Sequence, residues 1–212
     1  MPDAELANPF IKLFPGEEIA GILQNTQTLL PSLSRPTPQC TRPEEELSRQ
    51  LFLKLSTLPE YRTGPVEPHF ESWLVDNTGT TPILSGRGDI RFSCGRGVET
   101  YFLIEAKRLF VTFPGGKKAH LVVDYVDDGM MRFITGQYAS TQEAGAMLGY
   151  VFDVDLPTAR TALSKQIAAA SAKLCLSGSW QPSTLPVDPP VDETCHTLTD
   201  RRLVLYHLLA KL

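Results

Sequence analysis

Leucines recur at positions 47, 51, 55 and 58, and this spacing predicts the clearest helix in the chain, from Thr41 to Leu58. Thr41 suits an N-cap and Pro43 the first turn. Glu44, Glu45 and Glu46 favour the positive end of the helix dipole. Glu44 lies three positions before Leu47 and seven before Leu51, so it extends the apolar stripe toward whatever the helix packs on. Glu45 and Glu46 face elsewhere. Beyond this helix the apolar period shortens to two, which predicts strands over Glu67–Val75, Ile83–Phe92 and Thr100–Phe110. The first two are joined by a turn around Asn77-Thr78-Gly79, and the three together read as a meander. In the third, Tyr101, Leu103, Glu105 and Lys107 share one face, and Phe102, Ile104 and Ala106 the other.

The second half of the chain reads as helix, strand, helix. Asp127–Ala139 is a helix with Met130, Met131, Phe133 and Ile134 apolar, and Ala146–Phe152 is a strand. Pro157–Leu176 is a helix with Leu163, Ile167, Ala170 and Leu174 inward, followed by a Pro/Ser/Asp-rich loop over 177–193. The tail Arg202–Leu212 is dense in Leu, Val and Tyr, and periodicity suits a strand or a short helix; we expect a strand paired with Cys195-His196-Thr197. At the other end, Ile11, Phe14, Ile19, Ile22 and Leu23 predict two short helices broken at Pro15-Gly16, and the proline-rich stretch from Pro31 to Pro43 is a loop. No internal repeat is present. The chain reads as an N-terminal helical extension over 1–40 and one α/β domain over 41–212, a central mixed sheet flanked by helices.

Composition narrows the function classes. Apolar content of 42% and charged content of 21% fit a globular chain rather than a disordered one. No apolar run approaches the length of a membrane span. Asp3 and Glu5 precede any apolar stretch, so the start does not read as a secretory signal. Cys40, Cys94, Cys175 and Cys195 form no Cys-x-x-Cys pair, and the expectation is reduced thiols in a cytoplasmic protein. A net charge of −4 argues against a surface that grips nucleic acid all over. The distribution softens that: Ser85–Arg132 carries +2 and the remainder −6.

Several catalytic signatures are missing. Pro114-Gly115-Gly116-Lys117-Lys118 lacks the spacing of a phosphate-binding P-loop, and no Gly-x-Ser-x-Gly elbow occurs. His69, His120, His196 and His207 are scattered, and Trp73 and Trp180 read as core or interface residues.

One constellation stands out. Asp89 and Glu105-Ala106-Lys107, on neighbouring strands, would bring two carboxylates and an amine to one edge of the sheet, within reach of Glu44 from the preceding helix. Such charges are costly in a central strand unless paired, and a metal ion with a phosphate would pair them. Carboxylate oxygens suit Mg²⁺, which polarises phosphorus and lowers the pKa of an attacking water, and a lysine beside it can orient that water or neutralise developing charge.

At these residues the chain resembles the PD-(D/E)xK nuclease superfamily, over roughly Thr41 to Tyr138. The resemblance implies a restriction endonuclease-like core. It implies that Asp89, Glu105 and the Ala106 carbonyl bind Mg²⁺ or Mn²⁺, that Lys107 assists the water and that Glu44 completes the site. Some members, of the phage exonuclease and RecB type, carry a glutamine and a tyrosine on the following helix. Gln137 and Tyr138 are the candidates here, adjacent rather than spaced Gln-x-x-x-Tyr, with Gln137 supporting the site. Gly88 stands where the motif name has proline. The expected activity is metal-dependent hydrolysis of phosphodiesters, in DNA before RNA, in a restriction, phage-defence, repair or mobile-element setting. Arg87, Arg91, Arg108, Lys117 and Lys118 are the candidate phosphate contacts. A homodimer or a multi-protein system would suit a two-strand cut. The competing reading is an inactive nuclease-like domain used for DNA binding or assembly.

Overall fold

The computed structural model describes residues 14–37, 40–76, 83–94 and 100–212, with the backbone alone described for 72–76 and 83–86. The expected first N-terminal helix, the Asn77-Thr78-Gly79 turn and the Trp73 side chain lie outside the described parts. Helix α1 (Gly16–Leu29) opens the described chain and α2 (Pro43–Leu55) follows. Leu47, Leu51 and Leu55 of α2 are fully buried, as their spacing requires. Two boundaries differ from expectation. The N-cap position is Arg42, without a side-chain cap, because Pro43 takes the first helical position. The helix ends at Leu55, since Pro59 holds Leu58 extended (ψ 137°) and starts the short α3 (Pro59–Thr63).

The meander is present as β1 (Val66–Asp76), β2 (Ile83–Cys94) and β3 (Tyr101–Leu109), paired antiparallel. A small hairpin, β4 (Val111–Thr112) with β5 (Lys118–Ala119), projects after it. The expected Asp127–Ala139 helix is instead α4 (Val122–Asp124), a π-helical turn over Tyr125–Met130 and α5 (Met131–Ile134). It stops early because Gly136 turns left-handed (φ 75°) just past the last helical turn.

Strand β6 (Ala144–Val151) then pairs parallel to β3, and α6 (Leu156–Ala169) starts on Asp155, whose carboxylate accepts from Thr158 N at 2.7 Å. That helix ends well before the expected Leu176, where Ala170 leaves the helical region (φ −93°, ψ 12°). Strands β7 (Gln181–Pro182), β8 (Asp192–Thr197) and β9 (Arg202–Lys211) complete a seven-stranded mixed sheet in the order β1-β2-β3-β6-β9-β8-β7. The tail is therefore a strand paired with β8 as expected, in the antiparallel sense, and it also pairs parallel with β6.

The sheet divides the core in two. Ile22 and Leu23 of α1 and the α2 leucines pack on Phe92, Phe102, Ile104 and Leu148 on one face. Tyr125, Met130, Phe133, Leu163 and Ile167 pack on Leu103, Met147 and Leu205 on the other. Helix α1 thus shares the core of the domain rather than extending from it. Among the described residues no helix is long and apolar enough to cross a membrane.

A polar link crosses the first interface: Ser48 Oγ of α2 lies 3.2 Å from Tyr150 OH of β6, both fully buried. Ser48→Ala leaves the phenol without a partner, and urea denaturation should show a loss of about 1–3 kcal/mol.

Candidate active site

Strand β2 is longer than its pairing with β3. Ile90–Ser93 face Tyr101–Ile104 in register, and the earlier part of β2 follows β1 alone. Beyond Ile104, side chains take the place of the strand neighbour. Asp89 Oδ2 accepts from Ala106 N at 2.7 Å, and Glu44 Oε2 accepts from Arg108 N at 2.8 Å. Residues two apart on a strand present their N–H groups to the same edge, so two carboxylates from different elements terminate one strand edge. Gly88 is required beside Asp89: a Cβ there would lie 2.3 Å from Leu103 Cδ1, on a fully buried side chain.

Glu105 and Lys107 point to the face covered by the π-turn. Lys107 Nζ donates to Glu105 Oε1 at 2.9 Å and lies 3.3 Å from Asp128 Oδ2 and 4.0 Å from Glu44 Oε1. Arg132 Nη1 donates to the same Glu105 oxygen at 2.9 Å and to Tyr138 OH at 2.6 Å, while its Nη2 holds Asp128 at 2.8 Å. Tyr138 OH in turn donates to the Arg87 carbonyl at 2.8 Å, tying this network to β2. The structure thus brings Glu44, Asp89, Glu105, Lys107 and the candidate Tyr138 together and adds Asp128 and Arg132. The sequence signal for the additions was an Asp128/Arg132 pair at helical spacing.

Electrostatics set the protonation states. Burial, then the charges of Glu105 and Glu44, push Asp89 well above the usual carboxylate range against the Ala106 hydrogen bond. Burial also raises Glu105, with Lys107 and Arg132 opposing it. Burial would lower Lys107, but Glu105, Glu44 and Asp128 outweigh it and keep the ammonium charged. Burial works against ionisation of Asp128 too, yet Lys107 and Arg132 hold its carboxyl low. Burial and Glu105 carry Tyr138 up to about 12. Four carboxylates face two cations here, so the ionised site carries two excess negative charges.

The other predicted residues divide. Gln137 is exposed in the bend after α5 and makes no contact with the cluster among the described residues; Tyr138 is the neighbour that joins it. Arg87 pairs with Glu71 at 2.7 Å, and Arg91 lies 6.0 Å over the Tyr101 ring with its Nε buried and unpartnered among the described residues. Arg108 is half-buried, and Lys117 and Lys118 are exposed on the β4–β5 hairpin. The histidines lie elsewhere. His196 and His207 do meet, through Thr194 Oγ1 at 2.9 Å from each, inside a buried network on β8 and β9. His69 bonds Ser93 at 2.8 Å, and His120 packs by Phe110. The four cysteines are free thiols. No protein-family model, curated protein or solved structure matches this chain.

Proposed function

We propose that the chain is a metal-dependent nuclease with a restriction endonuclease-like core, acting on DNA. The observation that carries this is the convergence of Glu44, Asp89 and the Glu105–Lys107 pair where β3 parts from β2. The surroundings fit: a helix, a three-strand meander, a helical segment and then a strand parallel to the third.

The donor set suits a hard divalent cation. Among the described residues no three His, Cys, Asp or Glu side chains gather as a metal-holding group. Mg²⁺ is commonly held by one or two carboxylates and keeps several waters, so Asp89 and Glu105 suffice in number. Asp89 Oδ1 and Glu105 Oε2 carry no hydrogen bond among the described residues. The Ala106 carbonyl shares the strand edge of its N–H, beside Asp89. The two excess negative charges match one divalent ion. Bound there, it would supply Lewis-acid polarisation of the phosphate and a more acidic water.

The chain's own groups do the rest. Lys107, kept protonated, supplies a fixed positive charge for the pentacovalent phosphate. Glu105 and Asp128 hold its ammonium in place. Arg132 and Tyr138 brace Glu105 against β2. Glu44 orients the Arg108 end of β3.

Incubation of supercoiled, linear and single-stranded DNA with the protein in Mg²⁺ or Mn²⁺ should give cleavage that EDTA abolishes. Lys107→Met, which keeps the length of the side chain, should slow it by about 10²-fold. Cleavage that survives EDTA would overturn the proposal. The inactive-module alternative is favoured by one contact, the double use of Glu105 Oε1 by Lys107 and Arg132. It predicts DNA binding with no cleavage in any metal.

A further inference from the structure

A cleft of about 470 Å³ opens beside the carboxylate cluster. Arg108 belongs to both: its backbone N–H donates to Glu44, and the residue lines the cleft. Pro43, the chain neighbour of Glu44, lines it as well. The volume is within the range of small-molecule sites, about 300–1,000 Å³.

The lining has a distinct chemistry. Arg35, Arg108, Phe113 and Phe152 line the cleft, and among the described residues no Asp or Glu does. Arg35 is already committed, 3.1 Å from Asp153 and 5.0 Å over the Phe152 ring. The Arg108 guanidinium has no hydrogen bond or ion pair among the described residues. Phe113 is half-buried, packed against the core, and pairs with no other ring among the described residues. It opens the turn of the β4–β5 hairpin, which Phe113 N closes by donating to Lys117 O at 2.8 Å, with Lys117 and Lys118 exposed in the same hairpin. A carboxylate-rich cluster therefore adjoins a cleft that, among the described residues, is lined by no Asp or Glu and offers a half-buried aromatic ring and an unpaired guanidinium, with exposed lysines on the adjoining hairpin.

Aromatic rings with basic side chains are what unpaired nucleotides bind, the ring stacking on the base and the cation taking the phosphate. A base stacked and paired inside a duplex offers Phe113 no free face. We propose that this cleft binds one unpaired nucleotide of the substrate strand, its base on Phe113 and its phosphate on Arg108. The protein then prefers DNA with single-stranded character beside the scissile bond. The substrate rests on the nuclease reading; the binding does not.

The test is fluorescence anisotropy in EDTA, where no cleavage intervenes, with labelled oligothymidylate, a blunt duplex and an abasic sugar-phosphate strand of equal length. Phe113→Ala should weaken oligothymidylate binding about ten-fold, and Phe113→Trp should restore it. Arg108→Ala should reduce the salt dependence of binding by about one phosphate contact. The abasic strand should bind the wild type about ten-fold more weakly than oligothymidylate does, a comparison that needs no variant to fold. Equal binding of abasic and base-bearing strands by the wild type would overturn the cleft assignment, as would an unchanged Phe113→Ala. Base-dependent binding without cleavage of any DNA would keep the cleft and remove the nuclease reading. Cleavage with base-independent binding would do the reverse.

Discussion

Asp89→Asn should lower metal-dependent cleavage by about 10³-fold while leaving the protein at least as stable as the wild type without metal. The two effects share one cause. Asp89 is held where burial and the charges of Glu105 and Glu44 disfavour its ionised form. An amide keeps the oxygen that accepts from Ala106 N and removes the charge. The sign follows from the raised carboxyl. A group that binds its proton more tightly in the fold than in the unfolded chain stabilises the fold when protonated. Wild-type stability is therefore lost as pH rises from the ordinary aspartate range through the raised value. Asparagine escapes this loss, so its advantage should grow over the same interval. Thermal melts at pH 7.5 in EDTA should place the variant level with or above the wild type, and added Mg²⁺ should raise only the wild type. Retained cleavage would remove Asp89 from the site. Lost cleavage with a fall in melting temperature would make it a structural residue.

A second large effect concerns pH and lies away from the cluster. His207 is buried between Tyr125 OH, 2.9 Å from its Nδ1, and Thr194 Oγ1, 2.9 Å from its Nε2, with the Trp180 ring stacked 4.3 Å away. Burial, with His196 nearby, pushes it down from 6.5 to about 3. Its lowered value means the unfolded chain takes up the proton first as pH falls. Stability is thus complete above the unfolded value and is lost as pH drops from 6.5 toward 3. His207 alone should cost about 2 kcal/mol by pH 5 and about 3 kcal/mol by pH 4. His196, lowered by burial, adds in the same direction. Asp89 and Glu105 oppose it, since their raised carboxyls gain stability as pH falls. The decline measured by urea denaturation between pH 7 and 5 should therefore be steeper in Asp89→Asn than in the wild type. The direct check is NMR of the His207 ring, which should show no titration between pH 8 and 5. A midpoint near 6 would refute it.

Much of the candidate site was legible before any coordinates, because period fixes faces. A period of two put Glu105 and Lys107 on one side of β3, and a period near 3.6 put Glu44 on the stripe of Leu47 and Leu51. The part that was not legible depends on local irregularity. Arg132 and Asp128 reach Lys107 and Glu105 through a π-turn, which shifts the phase of a helix by a residue and defeats a 3.6-residue reading. Tyr138, not Gln137, faces the cluster because the chain reverses at the left-handed Gly136. The tail was ambiguous for a different reason. Strand β9 is flanked by β6 and β8 and covered on both faces, so its side chains lose the alternation that identifies a half-exposed strand. Arg87 satisfies a charge pattern in the sequence, yet its guanidinium is spent on Glu71 across the β1–β2 ladder.

The parting of β2 from β3 has an energetic corollary. Two further rungs of ladder, if the strands stayed zipped past Ile104, would satisfy the Ala106 and Arg108 amides with ordinary backbone partners and dispense with two partly desolvated acids. The sheet forgoes that easier closure, and the seam left open is where its strongest charges collect. The seam is therefore the feature by which stability and chemistry compete in this molecule.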